Sequence, residues 1–249
     1  MTQPGTPPTA AAKPSRSKGR VVGLFDNREF TYVWSAGALT GIVRWLQLLV
    51  MGIYTFQITE SPLLVSMVPM LWMLPLALCG PFVGVVADRM NRKYLYCAAL
   101  TLVTSVSAVM AILATIGTLQ FVHIAIASVV SGLFWATDMP VRRRLLGDLS
   151  GGEIAAAMGL DSATSNATRM SGPFLGGVML QWFDIAGVFM FSTVAFLMCF
   201  VLVGFTQSPR RENTEATPAF LKEFAAGIRY VRSDANLRLI FAVTIIFNV

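Results

Sequence analysis

Charged residues are missing from long stretches of this chain, and the stretches recur at regular intervals. A first apolar run extends from about Phe30 to Phe56 and is interrupted by Arg44 alone; a second, Ser61 to Ala87, carries no charge. No Asp, Glu, Lys or Arg occurs between Tyr94 and Thr137. A helix needs about 20 apolar residues to cross the roughly 30 Å hydrocarbon layer of a bilayer. Residues 94–137 are therefore two helices, and Gly117-Thr118 supplies the turn between them. A fifth run goes from about Ala155 to Gln181 and contains Asp161 and Arg169; a sixth goes from about Ile185 to Phe205. A seventh opens near Leu237 and is cut at Val249. The pattern predicts an all-α membrane protein: six helices and the start of another.

The placement of the basic residues orients these helices. Apart from Arg44 and Arg169, every Lys and Arg lies in one of four places: before the first run, between the second and third (Arg89, Arg92, Lys93), between the fourth and fifth (Arg142, Arg143, Arg144), or after the sixth. The alternate loops, near Thr59-Glu60, Gly117-Thr118 and Phe183-Asp184, have none. The positive-inside rule gives this alternation for a multi-pass protein of the cytoplasmic (inner) membrane with its N-terminus inside. Those loops are also too short to hold an external domain.

Composition agrees with lipid as the solvent. The chain of 249 residues is 55% hydrophobic and 13% charged, against roughly 25% charged in soluble domains. Its three cysteines, Cys79, Cys97 and Cys199, all sit in apolar runs and form no CxxC pair, so they read as small apolar fillers. Residues 1–29 read as a basic cytoplasmic tail, disordered through its first twenty residues and without the apolar core of a signal peptide. Residues 30–205 are the six-helix half, 206–236 a cytoplasmic linker, and 237–249 the seventh helix. Within the linker, Phe220, Phe224, Ile228 and Val231 recur at helical spacing. The spacing predicts an amphipathic surface helix over Ala219–Arg232, the alternative being a solvated linker.

Gly80-Pro81-Phe82-Val83-Gly84 and Gly172-Pro173-Phe174-Leu175-Gly176 lie 92 residues apart, in the second and fifth runs. These runs cross in opposite directions. A three-plus-three inverted repeat gives this pattern, and independent Gly-Pro pairs at helix packing sites give it too.

The segment Gly84-Val85-Val86-Ala87-Asp88-Arg89-Met90-Asn91-Arg92-Lys93 follows the second run at its inner end. It resembles the signature that the major facilitator superfamily carries between its second and third helices, with Asn91 where the family has Gly. Asn tolerates left-handed backbone, so the turn survives. The resemblance implies that Gly84, Asp88, Arg89, Arg92 and Lys93 form a conformational latch between two six-helix halves, the second half being absent here. Physically, Gly84 permits close helix approach and the basic residues hold the loop at the anionic leaflet; a topology anchor is the plainer reading. Asp138-Met139-Pro140-Val141-Arg142-Arg143 and Thr59-Glu60-Ser61-Pro62 resemble segments of the drug, macrolide and siderophore efflux branch. Gly172 and Pro173 with Gly176 and Gly177 resemble the antiporter motif of the fifth helix. The resemblance covers about Phe25 to Val249.

A charge at mid-bilayer costs at least about 2.5 kcal/mol on insertion scales, so intramembrane charges face the protein interior. Arg44, Asp138, Asp161, Asn166 and Arg169 are the candidates for a substrate or coupling site. In the resembled family the first and fifth helices line the central cavity. Arg44 and Arg169 then either bring positive charge that favours an anionic or polar substrate, or pair structurally with Asp161 or with the absent half. Asp138 is expected to pair with Arg89 or Arg92 rather than carry protons. His123, the sole histidine, is expected at the interface rather than in a proton relay. Trp45 and Trp72 lie deep enough to line the cavity or simply to pack.

The function expected is secondary active transport of a small organic molecule (drug, siderophore or metabolite) by alternating access. The resemblance implies efflux coupled to protons. Uptake by the same fold, or a non-transporting receptor or scaffold, is the alternative. An enzyme would need a nucleophile with its base, or a metal cluster, and one histidine without HExxH offers neither. The absence of a Walker loop removes ATP as the direct energy source. No cofactor or metal and no nucleic acid is expected; the expected partners are the lipid bilayer, the substrate and protons.

Overall fold

The computed structural model describes residues 17–89 and 91–206, with backbone alone for residues 17–20 and 79–89. The Gly80–Gly84 pentapeptide's side chains, those of Asp88 and Arg89, the linker helix and the seventh helix lie outside the described residues.

The described chain is all helix: α1 (Ser17–Leu24), α2 (Arg28–Thr59), α3 (Pro62–Arg89), α4 (Arg92–Thr115), α5 (Phe121–Leu149) and α6 (Ile154–Gly204). Four of these, α2, α4, α5 and α6, are long and apolar enough to cross a membrane, and α3 adds the apolar stretch Pro62–Leu78. At 1.5 Å per residue the 51 residues of α6 would extend about 76 Å, far beyond one bilayer. The helix is broken at Asp184, whose φ is 53° and ψ −177°. Contacts show that the chain reverses there. Thr164 bonds Trp34 and Cys199 bonds Ala36, while Ile185 packs with Val50 and Met51. The two limbs of α6 are thus the fifth and sixth runs, folded as an antiparallel pair along α2.

Tight reversals need backbone that most side chains avoid. Glu60 (φ 50°), Gly117 (φ 70°) and Asp184 all take positive φ, one in each reversal at the end of the bundle without basic residues. Gly151 and Gly152 do so between α5 and α6 at the other end. Asn27 and Asn91 cap α2 and α4, each side chain accepting from a backbone N–H two residues on.

α1 falls in the stretch that reads as a disordered tail. Its end is anchored: Leu24 is buried with Phe30 and Val33, and Phe25 packs edge-on against Phe30 and Trp34.

The bundle's outside is apolar, with Val109, Ile112, Val122, Ile126, Trp182 and Val194 exposed. Two shallow apolar grooves open on it, one between α4 and α5 beside His123 and one between α4 and the second limb of α6. Apart from two donors at Arg44 and Trp45, buried polar side chains bond internally, as lipid demands. Gln47 donates to Ser107 at 3.2 Å, and serine and threonine hydroxyls donate to carbonyls one turn back, Thr55 to Met51 and Ser192 to Val188 among them.

Candidate functional site

Four helices contribute to a charged network enclosed in the bundle, near the end that carries the basic residues. Asp138 and Arg142 sit one turn apart on α5, Tyr96 on α4, and Asp161 on the first limb of α6. The Tyr96 hydroxyl donates to Asp138 Oδ1 at 2.7 Å. Arg142 Nε stands 3.4 Å from the same oxygen, and Arg142 Nη1 donates to Asp161 Oδ1. Arg143 Nε donates to Asp161 Oδ2 at 3.0 Å. Tyr96, Asp138, Arg142 and Asp161 are all at least 95% buried. Buried charges persist only when paired and hydrogen-bonded, and each of these is. Gly37 on α2 completes the enclosure: a Cβ there would lie 2.6 Å from Arg142 Cδ.

This arrangement bears on two pairings weighed from the sequence. Asp138 pairs with Arg142 and Tyr96, and Arg92 pairs with Asp148 at 2.5 Å, while the Arg89 side chain lies outside the described residues. Asp161 pairs with Arg142 and Arg143 rather than with Arg44 or Arg169. From sequence, Arg142 reads as an inner-loop base and part of a resembled segment, not as a site residue, and Tyr96 is not singled out. Arg142 stands in an Arg142-Arg143-Arg144 triplet that looks like a loop, but α5 runs on to Leu149 and draws it inside. The i,i+4 spacing from Asp138 was the available signal. Tyr96 gives none.

Arg44 and Arg169 meet aromatic faces instead of acids. The Arg44 guanidinium carbon lies 5.5 Å from the Trp135 ring centroid and 5.6 Å from that of Trp45; the Arg169 carbon lies 5.1 Å from Trp45. Trp135 stacks on Trp72 at 4.6 Å. Asn166 is exposed on the same limb as Arg169. Trp135 was not singled out by sequence.

The Gly-Pro segment packs as its small residues suggest. A Cβ on Gly172 would lie 2.6 Å from Trp45 Cβ, and one on Gly176 3.1 Å from the Leu46 carbonyl oxygen, while Gly177 faces open space. At the latch segment, Lys93 Nζ donates to the carbonyls of Gly204 (2.8 Å) and Thr206 (2.5 Å). These contacts tie the start of α4 to the end of α6. His123 caps α5: its Nδ1 accepts from the Gln120 backbone N–H at 3.1 Å.

Residues 22–249 match the family described as transmembrane secretion effector. The chain is similar to the uncharacterized MFS-type transporter YfiS of Bacillus subtilis (strain 168), with 26% identity over 221 residues, 84% of this chain and 51% of the relative. It therefore spans about half the length of the curated relative it matches. With a bundle of apolar helices and this match over nearly its whole length, the chain belongs to the major facilitator superfamily of membrane transporters.

Proposed function

We propose that this chain forms the first six-helix half of a secondary transporter that exports a small organic molecule by alternating access, driven by protons. The observation that carries the reading is an arginine-bearing polar face, on α2 and the first limb of α6, within a bundle whose outside is apolar. Such a face has no use against lipid and suits a central pathway at a repeat interface. The coupling candidates are Asp138 and Asp161, the only buried acids among the described residues. In this reading Gly84, Asp88, Arg89, Arg92 and Lys93 form the latch to a second half. The ties from Arg92 to Asp148 and from Lys93 to the end of α6 support it, because they make that loop a junction between helices. The segregation of basic residues supports insertion in the inner membrane with the N-terminus inside.

The test is accumulation of a panel of dyes, antibiotics and siderophores in cells expressing the full-length protein. Lower accumulation that a protonophore abolishes is the expected result. An unchanged panel would sink the efflux reading and turn attention to uptake.

A further inference from the structure

Five large side chains from four elements meet, and two of them hold buried donors without a partner. Arg44 and Trp45 come from α2, Trp72 from α3, Trp135 from α5 and Arg169 from the first limb of α6. Trp72 is buried and stacked on Trp135 with the rings 9° apart; Trp45 lies 6.0 Å from Trp72. Trp45, Trp135 and Arg44 are half-buried, and Arg169 is exposed. At the centre, Arg44 Nε and Trp45 Nε1 are buried with no hydrogen-bond partner. Buried donors in proteins are almost always paired, and a bilayer interior makes an unpaired one costlier still.

The charges around these donors are unbalanced in one direction. Asp138 and Asp161 are the buried acids among the described residues; Arg142 engages Asp138, and Arg142 and Arg143 engage Asp161. Neither Arg44 nor Arg169 has a carboxylate within salt-bridge distance among the described residues. Four arginines thus share two aspartates. The unpaired groups are donors, the surplus charge is positive, and the surfaces between them are aromatic. An aromatic cluster without arginines would suit an organic cation, but here two guanidinium groups already occupy the ring faces and repel one.

We propose that Arg44, Trp45, Trp135 and Arg169 form the substrate subsite, with Trp72 backing it, and that its ligand is a planar aromatic anion. The acid group of the ligand takes the exposed Arg169 and draws Arg44 Nε and Trp45 Nε1 out to it by rotation of those two side chains, and its ring lies against the accessible parts of Trp45 and Trp135. The proposal rests on the transporter reading above and adds the chemical class of the cargo.

The test uses full-length protein in lipid nanodiscs and equilibrium dialysis against three probes of one shape. These are 1-naphthalenesulfonate, neutral 1-naphthalenemethanol and cationic 1-naphthylmethylammonium, with protein-free nanodiscs subtracted. The anion is expected to bind at least about tenfold more tightly than the cation, as a charge-assisted contact allows. Arg169→Gln and Trp135→Leu should each weaken it about tenfold, with Arg169→Lys restoring part of the loss. Because Arg169 is exposed, its variants are expected to keep the wild-type elution profile. Equal or tighter binding of the cation, no binding of the anion, or full affinity in Arg169→Gln would overturn the proposal. Counterflow of the same probes in proteoliposomes separates the two readings. An anion that binds but is not carried leaves the site and sinks transport. A carried cation with an excluded anion leaves transport and sinks the site.

Discussion

Arg142 is the side chain on which the buried network turns. It alone touches both aspartates, and it passes under Gly37, where no side chain fits. Arg142→Leu would leave Asp138 held by Tyr96 alone and Asp161 held by Arg143 alone. Removing one partner of a buried pair costs about 3–5 kcal/mol, so the variant is expected to melt markedly lower in detergent, read by thermal-shift size-exclusion. Replacing Asp138 and Asp161 by Asn in the same chain should recover much of the loss. A melting temperature unchanged in the single variant would show that the network contributes little. At this scale the sequence was only half legible. That Asp138, Asp161 and Arg44 turn inward follows from the cost of charge in lipid, whereas Arg169 is exposed on the first limb of α6. Their partners did not follow, because which helices adjoin is not written in any one helix's periodicity.

Among the elements, the contact of α2 with the first limb of α6 shows how helices adhere in lipid. Where the surroundings are as apolar as the side chains, close van der Waals packing takes over as a driving force. Small residues alternate across this contact: Gly41 receives Thr168 from α6, and Gly172 and Gly176 receive the α2 backbone around Ile42 and Leu46. A methyl added at Gly172 meets Trp45 and a carbonyl, so Gly172→Ala is expected to destabilise by about 1–3 kcal/mol. Gly177→Ala, facing open space, should stay within about 0.5 kcal/mol of wild type or gain slightly. Equal effects in the two melting curves would remove close packing as the role of the motif. The sequence signalled this packing through the Gly-Pro segment but could not separate Gly177 from its neighbours. That distinction depends on which face of the limb meets α2.

For the whole molecule, the polarity of the two ends is the legible feature. Asn27 bonds Leu149, Arg92 bonds Asp148 and Lys93 bonds Gly204 at one end. The three positive-φ reversals at Glu60, Gly117 and Asp184 occupy the other. With the native cysteines replaced, single cysteines at Thr118 and Arg144 should respond oppositely to a membrane-impermeant maleimide added to whole cells. Thr118→Cys is expected to react and Arg144→Cys to react only after permeabilisation; the reverse pattern would invert the proposed topology. Span positions and turns were readable because lipid imposes length and excludes charge. The short α1 was not, because its order comes from Leu24 and Phe25 packing on α2.

The distribution of the network's charges along the chain has a consequence for biosynthesis. Asp138 and Arg142 are one turn apart on the same helix, so α5 can leave the ribosome and enter the bilayer carrying its own counterion. Asp161 has its partners on α5, which is made first. When the first limb of α6 emerges, the guanidinium groups that neutralise its acid are already in place, and the order of synthesis spares the membrane a solitary carboxylate.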